Sequence, residues 1–330
     1  MSFTESTYEN AVIQLFEGMG YTHIYAPDMG REDFSDPLMG DVLRDALVRI
    51  NRGLPLEAIG EALSKIRNFE GGSLVEKNRI FTGYLQDGVE VNYTVCGKTR
   101  AALVRLVDFE KPENNDFAVV NQYTYIENGN NRRPDIILFV NGLPLVLMEL
   151  KSPAKEEAGV EDAYNQLRNY MQDIPSMFIY NAICVISDLS ANRAGTITSG
   201  LDRFMDWKTK DGRYENTAYA QFDTFYEGMF PKERLLDILK NFICFSGDAQ
   251  KPIKILAGYH QYFAVRKAVE KAVIATETDG KGGVFWHTQG SGKSLSMAFS
   301  GTPKAAENRF QWCFMLICCK KCCTARPLLL

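Results

Sequence analysis

Cysteine is scarce where a disulfide framework would need it: only Cys96, Cys184 and Cys244 precede residue 300, far apart and without metal-ligand spacing. That scarcity excludes a disulfide-stapled scaffold and fits a reduced compartment. A positive charge excess is also missing. The formal net charge is −4, and the first forty residues set Arg31 alone against seven acids. This excludes a uniformly basic nucleic-acid wrapper, leaves room only for a local basic groove, and makes residues 1–40 poor candidates for facing phosphates. No apolar run reaches the roughly 20 residues of a membrane helix. The longest, Ile136 to Leu150, is broken by Asn141, Gly142 and Pro144 and predicts two buried strands. The first residues carry neither the basic nor the apolar region of a secretory signal. No membrane partner and a cytoplasmic location are therefore expected.

What is present is ordinary for a folded chain. At 330 residues, 45% hydrophobic and 24% charged, it has the length of two domains and the composition of neither a disordered tail nor a fibre. Helical spacing of Val12, Ile13, Leu15 and Phe16, and of Leu56, Ile59, Leu63 and Ile66, predicts helices over 6–18 and 55–67. From Val89 the pattern turns to β, with strands expected at 89–95, 102–109, 117–126, 135–140 and 145–150. Val160, Tyr164, Leu167 and Met171 predict a helix over 156–172, followed by a strand from Phe178 to Ser187. Residues 190–230 lack a clear period and read as a connecting region. A second unit begins near Lys251, with a helix over 259–275 and a short strand over 283–287. The expected fold class is α/β, a mixed sheet with flanking helices.

Two motifs carry chemistry. The first, Gly290-Ser291-Gly292-Lys293-Ser294, lies between an apolar strand and a helix start at Leu295 to Phe299, the context a P-loop needs. Its glycines turn backbone N–H groups toward phosphates, Lys293 reaches the outer phosphates of ATP, and Ser294 holds Mg²⁺. The first position of the usual pattern is His287 rather than glycine, and a Gly-rich surface turn is the bland alternative. Hydrolysis also requires a downstream acidic pair on the same sheet. None follows Ser294, so nucleotide binding is expected here and hydrolysis is not.

The second motif is Arg132-Arg133-Pro134-Asp135 followed by Glu149-Leu150-Lys151. Two carboxylates can hold Mg²⁺ beside a scissile phosphate, and a lysine can favour deprotonation of the attacking water. A strand-start Asp and a strand-end Glu-Lys pair of no functional meaning is the competing reading. Register discriminates between them. A two-residue turn at Asn141-Gly142 sets 135 opposite 148, whereas a three-residue loop, 141–143, sets 135 opposite 149. The three-residue loop is expected. Gln166 and Tyr170 share a helix face four residues apart and are candidates for DNA-backbone contact or for steadying the lysine. Glu9 is a further carboxylate candidate, although an exposed helix glutamate is the expected reading.

The ordered set Arg-Pro-Asp-Ile-Ile-Leu-Phe-Val-Asn-Gly-Leu-Pro-Leu-Val-Leu-Met-Glu-Leu-Lys, Gln-Leu-Arg-Asn-Tyr and Phe-Trp-His-Thr-Gln-Gly-Ser-Gly-Lys-Ser resembles the restriction (motor) subunit of type I restriction-modification enzymes over about residues 1–300. That resemblance implies a restriction-endonuclease-like PD-(D/E)xK domain, then the start of a RecA-like P-loop helicase domain. It implies Asp135 and Glu149 as metal ligands, Lys151 as the catalytic lysine, and Gln166 and Tyr170 as the family's Q-x-x-x-Y element. Gly290, Ser291, Gly292, Lys293 and Ser294 would hold ATP and Mg²⁺, with Gln261 at the position of an adenine-reading glutamine. The implied activity is Mg²⁺-dependent cleavage of double-stranded DNA, coupled to ATP-driven translocation, in a complex with modification (methyltransferase) and specificity subunits. The implied divisions are 1–190 for the nuclease, 191–250 for a connector, 251–300 for the opening of the motor, and an atypical Cys-rich tail over 301–330. Cys318-Cys319-Lys320-Lys321-Cys322-Cys323 stands where motor motifs belong, so a frameshifted or otherwise unselected tail is expected, with a zinc site as the competing reading. A catalytically silent fragment that docks on DNA or its partner subunits is the alternative function, and an independent P-loop ATPase a third.

Overall fold

The computed structural model describes residues 5–95, 97–151, 159–188, 190–213, 222–247, 251–278, 280, 283–284 and 292–300. The chain divides into two compact units, Met1–Leu256 and Ala257–Leu330. The first opens with helix α1 (Glu5–Gly18) and strand β1 (Thr22–Tyr25), then helices α2 (Gly40–Ile50), α3 (Leu56–Arg67) and α4 (Leu74–Asp87). A hairpin of β2 (Val89–Val95) and β3 (Lys98–Val104) follows, then β4 (Phe117–Asn121) and the ribbon β5 (Tyr125–Glu127) with β6 (Asn130–Arg132). The hairpin β7 (Ile136–Val140) and β8 (Leu143–Leu150) leads to α5 (Val160–Asp173), α6 (Pro175–Ile179), β9 (Ile183–Ser187) and β10 (Asn192–Gly195). Helices α7 (Phe222–Met229) and α8 (Lys232–Asn241) and the ribbon β11 (Ile243–Ser246) with β12 (Ile253–Leu256) close the unit.

Six strands form the central sheet in the order β1-β4-β7-β8-β9-β10. The pairs β1–β4 and β8–β9 are parallel and the others antiparallel, which makes the sheet mixed as expected. Every residue of β7 and β8 is buried. Their apolar runs, interrupted only by Glu149, are what strands covered on both faces require. On one face Val120, Ile137, Phe139, Leu147, Cys184 and Ile186 pack under Ala163, Leu167 and Tyr170 of α5. Successive side chains of a strand point to opposite faces, so Ile136, Leu138, Val146 and Met148 face the other way, toward the side where α1 packs on β4 and β8.

The β7–β8 turn differs from the expected three-residue loop. Val140 pairs directly with Leu143, so the turn is the two-residue one. Asn141 and Gly142 have φ of 52° and 76°, the left-handed pair that a tight hairpin turn uses. A Cβ on Gly142 would stand 2.6 Å from the Met39 carbonyl oxygen, so glycine is required on steric grounds as well. The consequence drawn from that turn is then reversed by a bulge. Phe139 pairs with Pro144 but Leu138 pairs with Val146, leaving Leu145 as an extra residue. Its carbonyl is satisfied by the Ala182 N–H at 2.7 Å. Beyond the bulge Ile136 faces Met148, and the next step along the ladder sets 135 opposite 149.

Other elements depart from the sequence pattern. The strand expected at 178–187 begins only at Ile183, because Pro175 starts the short helix α6 through Phe178 and Ile179. The strand expected at 117–126 breaks after Asn121, where Gln122 takes φ 57°. The strand expected at 102–109 lies earlier, at Lys98–Val104, paired with β2 from Val89↔Val104 to Val95↔Lys98. The first residues of the helix expected over 156–172 lie outside the described residues, and α5 runs from Val160.

Lys254 pins the β11–β12 ribbon to the unit. Its side chain is 2% exposed, and its ammonium donates to Asn78 Oδ1 of α4 at 2.9 Å and to the Asn181 carbonyl at 2.8 Å. In the second unit, helices α9 (Tyr259–Glu277) and α10 (Lys293–Ser300) are described. Most of the strand expected over 283–287, and all of 301–330, lie outside the described residues. Among the described residues no helix is long and apolar enough to cross a membrane.

Candidate active site

Asp135 precedes β7 by one residue, and Glu149 is the penultimate residue of β8. Asp135 has the parity of Ile137 and Glu149 that of Leu147, so both carboxylates belong to the sheet face that α5 covers. Two contacts agree with that placement. The Leu150 N–H donates to Asp135 Oδ2 at 2.7 Å, tying one carboxylate to the end of the strand that bears the other. Burial pushes the Tyr170 phenol of α5 above its ordinary range, and the negative charges of Glu149 and Asp135 raise it further.

Lys151, two residues past Glu149, shares its side of the chain. Its ammonium donates to Glu149 Oε1 and to Gln166 Oε1, each at 2.7 Å. The Gln166 side-chain amide in turn donates to the Tyr170 hydroxyl at 2.6 Å. A relay thus runs from strand β8 to helix α5 through Glu149, Lys151, Gln166 and Tyr170. Glu149 is 0% exposed, and a carboxylate taken out of water at that depth needs a cation close by. Lys151 provides one. The five residues singled out as catalytic, Asp135, Glu149, Lys151, Gln166 and Tyr170, are thereby gathered at one strand end.

A hard divalent cation takes carboxylate oxygens, and Mg²⁺ characteristically uses one or two of them beside water and substrate phosphate. Asp135 and Glu149 fit that donor set. No cluster of three or more His, Cys, Asp or Glu able to hold a metal occurs among the described residues. Sharing Gln166 and Tyr170 with the site is a cleft of about 510 Å³, lined also by Arg132, Arg133 and, from α5, Asp162, Asn165 and Asn169.

Glu9 corrects the expectation of an exposed helix glutamate. It is 9% exposed and accepts hydrogen bonds from Asn121 Nδ2 at 2.6 Å and Gln122 Nε2 at 3.2 Å. Asn121 pairs with Ile136, on the face opposite Asp135. Glu9 is thus held on the α1 side of the sheet.

In the second unit, Gly290 and Ser291 of the nucleotide motif lie outside the described residues, as does His287. Gly292 takes φ 77° directly before α10, whose first two residues are Lys293 and Ser294. Gln261 accepts from the Gly258 N–H at 3.0 Å and donates to the Gly292 carbonyl at 3.2 Å. Its amide is therefore joined to the loop backbone.

The comparisons with known proteins fall on both units. The family model for the N terminus of the type I restriction enzyme R protein matches residues 2–203, and the SWI2/SNF2 ATPase model matches residues 260–316. The type I restriction enzyme HindI endonuclease subunit of Haemophilus influenzae is 38% identical over 310 residues, covering 89% of this chain and 29% of that protein. A candidate type I endonuclease subunit of Methanocaldococcus jannaschii is 32% identical over 321 residues, covering 88% of this chain and 30% of that protein. A Staphylococcus aureus type I endonuclease subunit is 29% identical over 189 residues, 55% of this chain and 18% of that protein. The chain thus spans under a third of the length of these relatives. With more than half of its length matched by the R-protein model, and with homology to type I endonuclease subunits along most of the rest, the chain belongs to the type I restriction enzyme R protein N-terminal family.

Proposed function

We propose that the first unit is a PD-(D/E)xK nuclease that hydrolyses phosphodiester bonds in double-stranded DNA with Mg²⁺. The observation that carries this reading is the meeting of Asp135, Glu149 and Lys151 on one sheet face, under Gln166 and Tyr170. Asp135 and Glu149 would hold the cation, which when bound supplies Lewis-acid stabilisation of charge on the scissile phosphate. Lys151 holds a proton-bearing ammonium at the same place, where it lowers the cost of a developing hydroxide and of the phosphorane's added negative charge. Gln166 fixes the direction of that ammonium by accepting one of its hydrogen bonds. Tyr170 stays protonated, because burial and the two carboxylates oppose the phenolate, and so keeps a hydroxyl beside the cleft.

The second unit, on this reading, is the opening of an ATP-dependent motor, with ATP and Mg²⁺ at Lys293, Ser294 and the preceding glycines. The SWI2/SNF2 match over 260–316 supports it. The working state, on this reading, is a cytoplasmic complex with modification and specificity subunits on DNA; the relatives are named as subunits of type I restriction enzymes, which supports a multisubunit assembly. The test is nicking of supercoiled DNA by the chain assembled with those subunits, with Mg²⁺ and ATP, against Asp135→Ala. Loss of nicking with assembly intact is the expected result. Equal nicking by both proteins removes Asp135 from the reaction, and a wild-type assembly that never nicks favours the silent docking fragment.

A further inference from the structure

The cleft beside the carboxylates holds groups that the nuclease reading does not use. Arg132 is already engaged: its Nε and Nη2 meet Asp173 Oδ2 at 2.8 and 2.7 Å. Arg133, next in the chain, is exposed and forms no ion pair among the described residues. Asn165 and Asn169 lie one helical turn apart on α5, both exposed and both lining the same cleft. They flank Gln166 and Tyr170, whose hydrogen-bond relay leads to Lys151 and Glu149. One wall of the cleft is therefore shared with the carboxylate site.

The chemistry of the lining narrows the occupant. Besides Tyr170 the lining side chains are amides, guanidinium groups and one carboxylate, all of them hydrogen-bonding groups, which suits a polar ligand. Asp162 also borders the cleft. With Arg132 neutralised by Asp173, Arg133 and Asp162 nearly cancel, which disfavours a free di- or trianion such as inorganic phosphate or a nucleotide. A guanidinium fork with side-chain amides suits the singly charged phosphate of a polymer, held by hydrogen bonds that position the strand without reading its sequence.

We infer that this cleft seats the sugar–phosphate backbone of the DNA strand next to the scissile phosphate, with Arg133 on a non-bridging phosphate oxygen and Asn165 and Asn169 on the neighbouring backbone. These are positioning residues, and the inference rests on the nuclease reading of Asp135 and Glu149. It has its own readout. Binding of a short non-specific duplex by the full chain, followed by fluorescence anisotropy in Ca²⁺ across a salt series, is compared for wild type, Arg133→Ala, Arg133→Lys and Asn165→Ala/Asn169→Ala.

Removing one phosphate contact is expected to weaken binding about tenfold and to reduce the slope of log K against log salt by about 1. Arg133→Lys is expected to restore the slope and part of the affinity. In the nicking assay Arg133→Ala is expected to raise KM with kcat retained, whereas Asp135→Ala removes kcat with duplex binding retained. An Arg133→Ala protein with wild-type affinity and salt slope, or a wild-type chain that fails to bind the duplex, overturns the inference. If Asp135→Ala nicks like wild type, the nuclease reading fails instead, and the binding series still decides what the cleft does.

Discussion

Lys254→Met should change how the stability of the first unit depends on pH. Burial lowers the Lys254 pKa from 10.5 to about 7, opposed in part by the Cys184 thiol facing it from β9. Its polar partners are neutral, Asn78 Oδ1 and the Asn181 carbonyl, and the ring of Phe245 lies 5.7 Å away. Between about pH 7 and 10.5 the folded chain has released this proton while the unfolded chain still holds it. The unfolded state binds more protons, so stability rises with pH through that window at up to about 1.4 kcal/mol per unit, a total of about 5 kcal/mol. Below about pH 7 both states carry the charge and this contribution is flat. Methionine removes the linkage. It leaves Asn78 Oδ1 without the ammonium, at a cost of about 1–3 kcal/mol, while the Asn181 carbonyl keeps the Asn78 amide at 2.7 Å. Urea denaturation of both proteins at a series of pH values gives the difference curve, in which the tyrosine and cysteine titrations they share largely cancel. Wild type minus variant should climb steeply above about pH 7. A flat difference curve would show that Lys254 titrates normally and refute the assignment of a desolvated amine.

Gly142→Ala should cost about 3 kcal/mol in urea denaturation, from left-handed strain together with the clash on the Met39 carbonyl oxygen and the Leu43 nitrogen; a cost under a tenth of that would mean the turn is not as described. Lys151→Met removes the ammonium 2.7 Å from the fully buried Glu149 carboxylate and should lower stability by about 3 kcal/mol. Mg²⁺ should recover part of that loss, measured as a larger rise in Tm for the variant than for wild type, if the carboxylates accept a cation; equal rises would count against the metal site. Cys184 is 0% exposed, and burial pushes its thiol up to about 12. It should therefore resist alkylation at mildly alkaline pH in the native chain and react only after denaturation, whereas rapid native labelling would contradict its place under α5.

The sheet core was legible because β7 and β8 are apolar runs broken only by Glu149, and α1 and α3 because their apolar side chains recur at helical spacing. The strand expected through Phe178 and Ile179 failed for a readable reason: Pro175 suits a helix N-terminus, and a short apolar run cannot by itself distinguish strand from helix. Helix α4 also carried an unused signal, since Ser73 and Glu76 form a capping box across its first turn. The hairpin was instructive in another way. Asn141-Gly142 demanded the two-residue turn, and the residue that brings 135 opposite 149 is the bulged Leu145, which no pattern marks because every neighbour is equally apolar. Site residues at fixed sequence spacing, Glu149 with Lys151 and Gln166 with Tyr170, could be placed on shared faces in advance. Burial of Glu9 by Asn121 and Gln122, and of Lys254 by Asn78 and Asn181, depends on contacts more than 100 residues apart for every bond but that to Asn181. Local periodicity carries no trace of them.

The claim at the centre of the account is that Asp135 and Glu149 share one metal ion on the α5 face of the sheet. Loading the chain with Fe²⁺ in place of Mg²⁺ and generating hydroxyl radicals with ascorbate and peroxide maps the ion by backbone scission. The account predicts cuts in the sequence around 135 and around 149, suppressed by excess Mg²⁺ and absent in Glu149→Gln. Cuts elsewhere, or cuts near these positions that persist unchanged in Glu149→Gln, would contradict it.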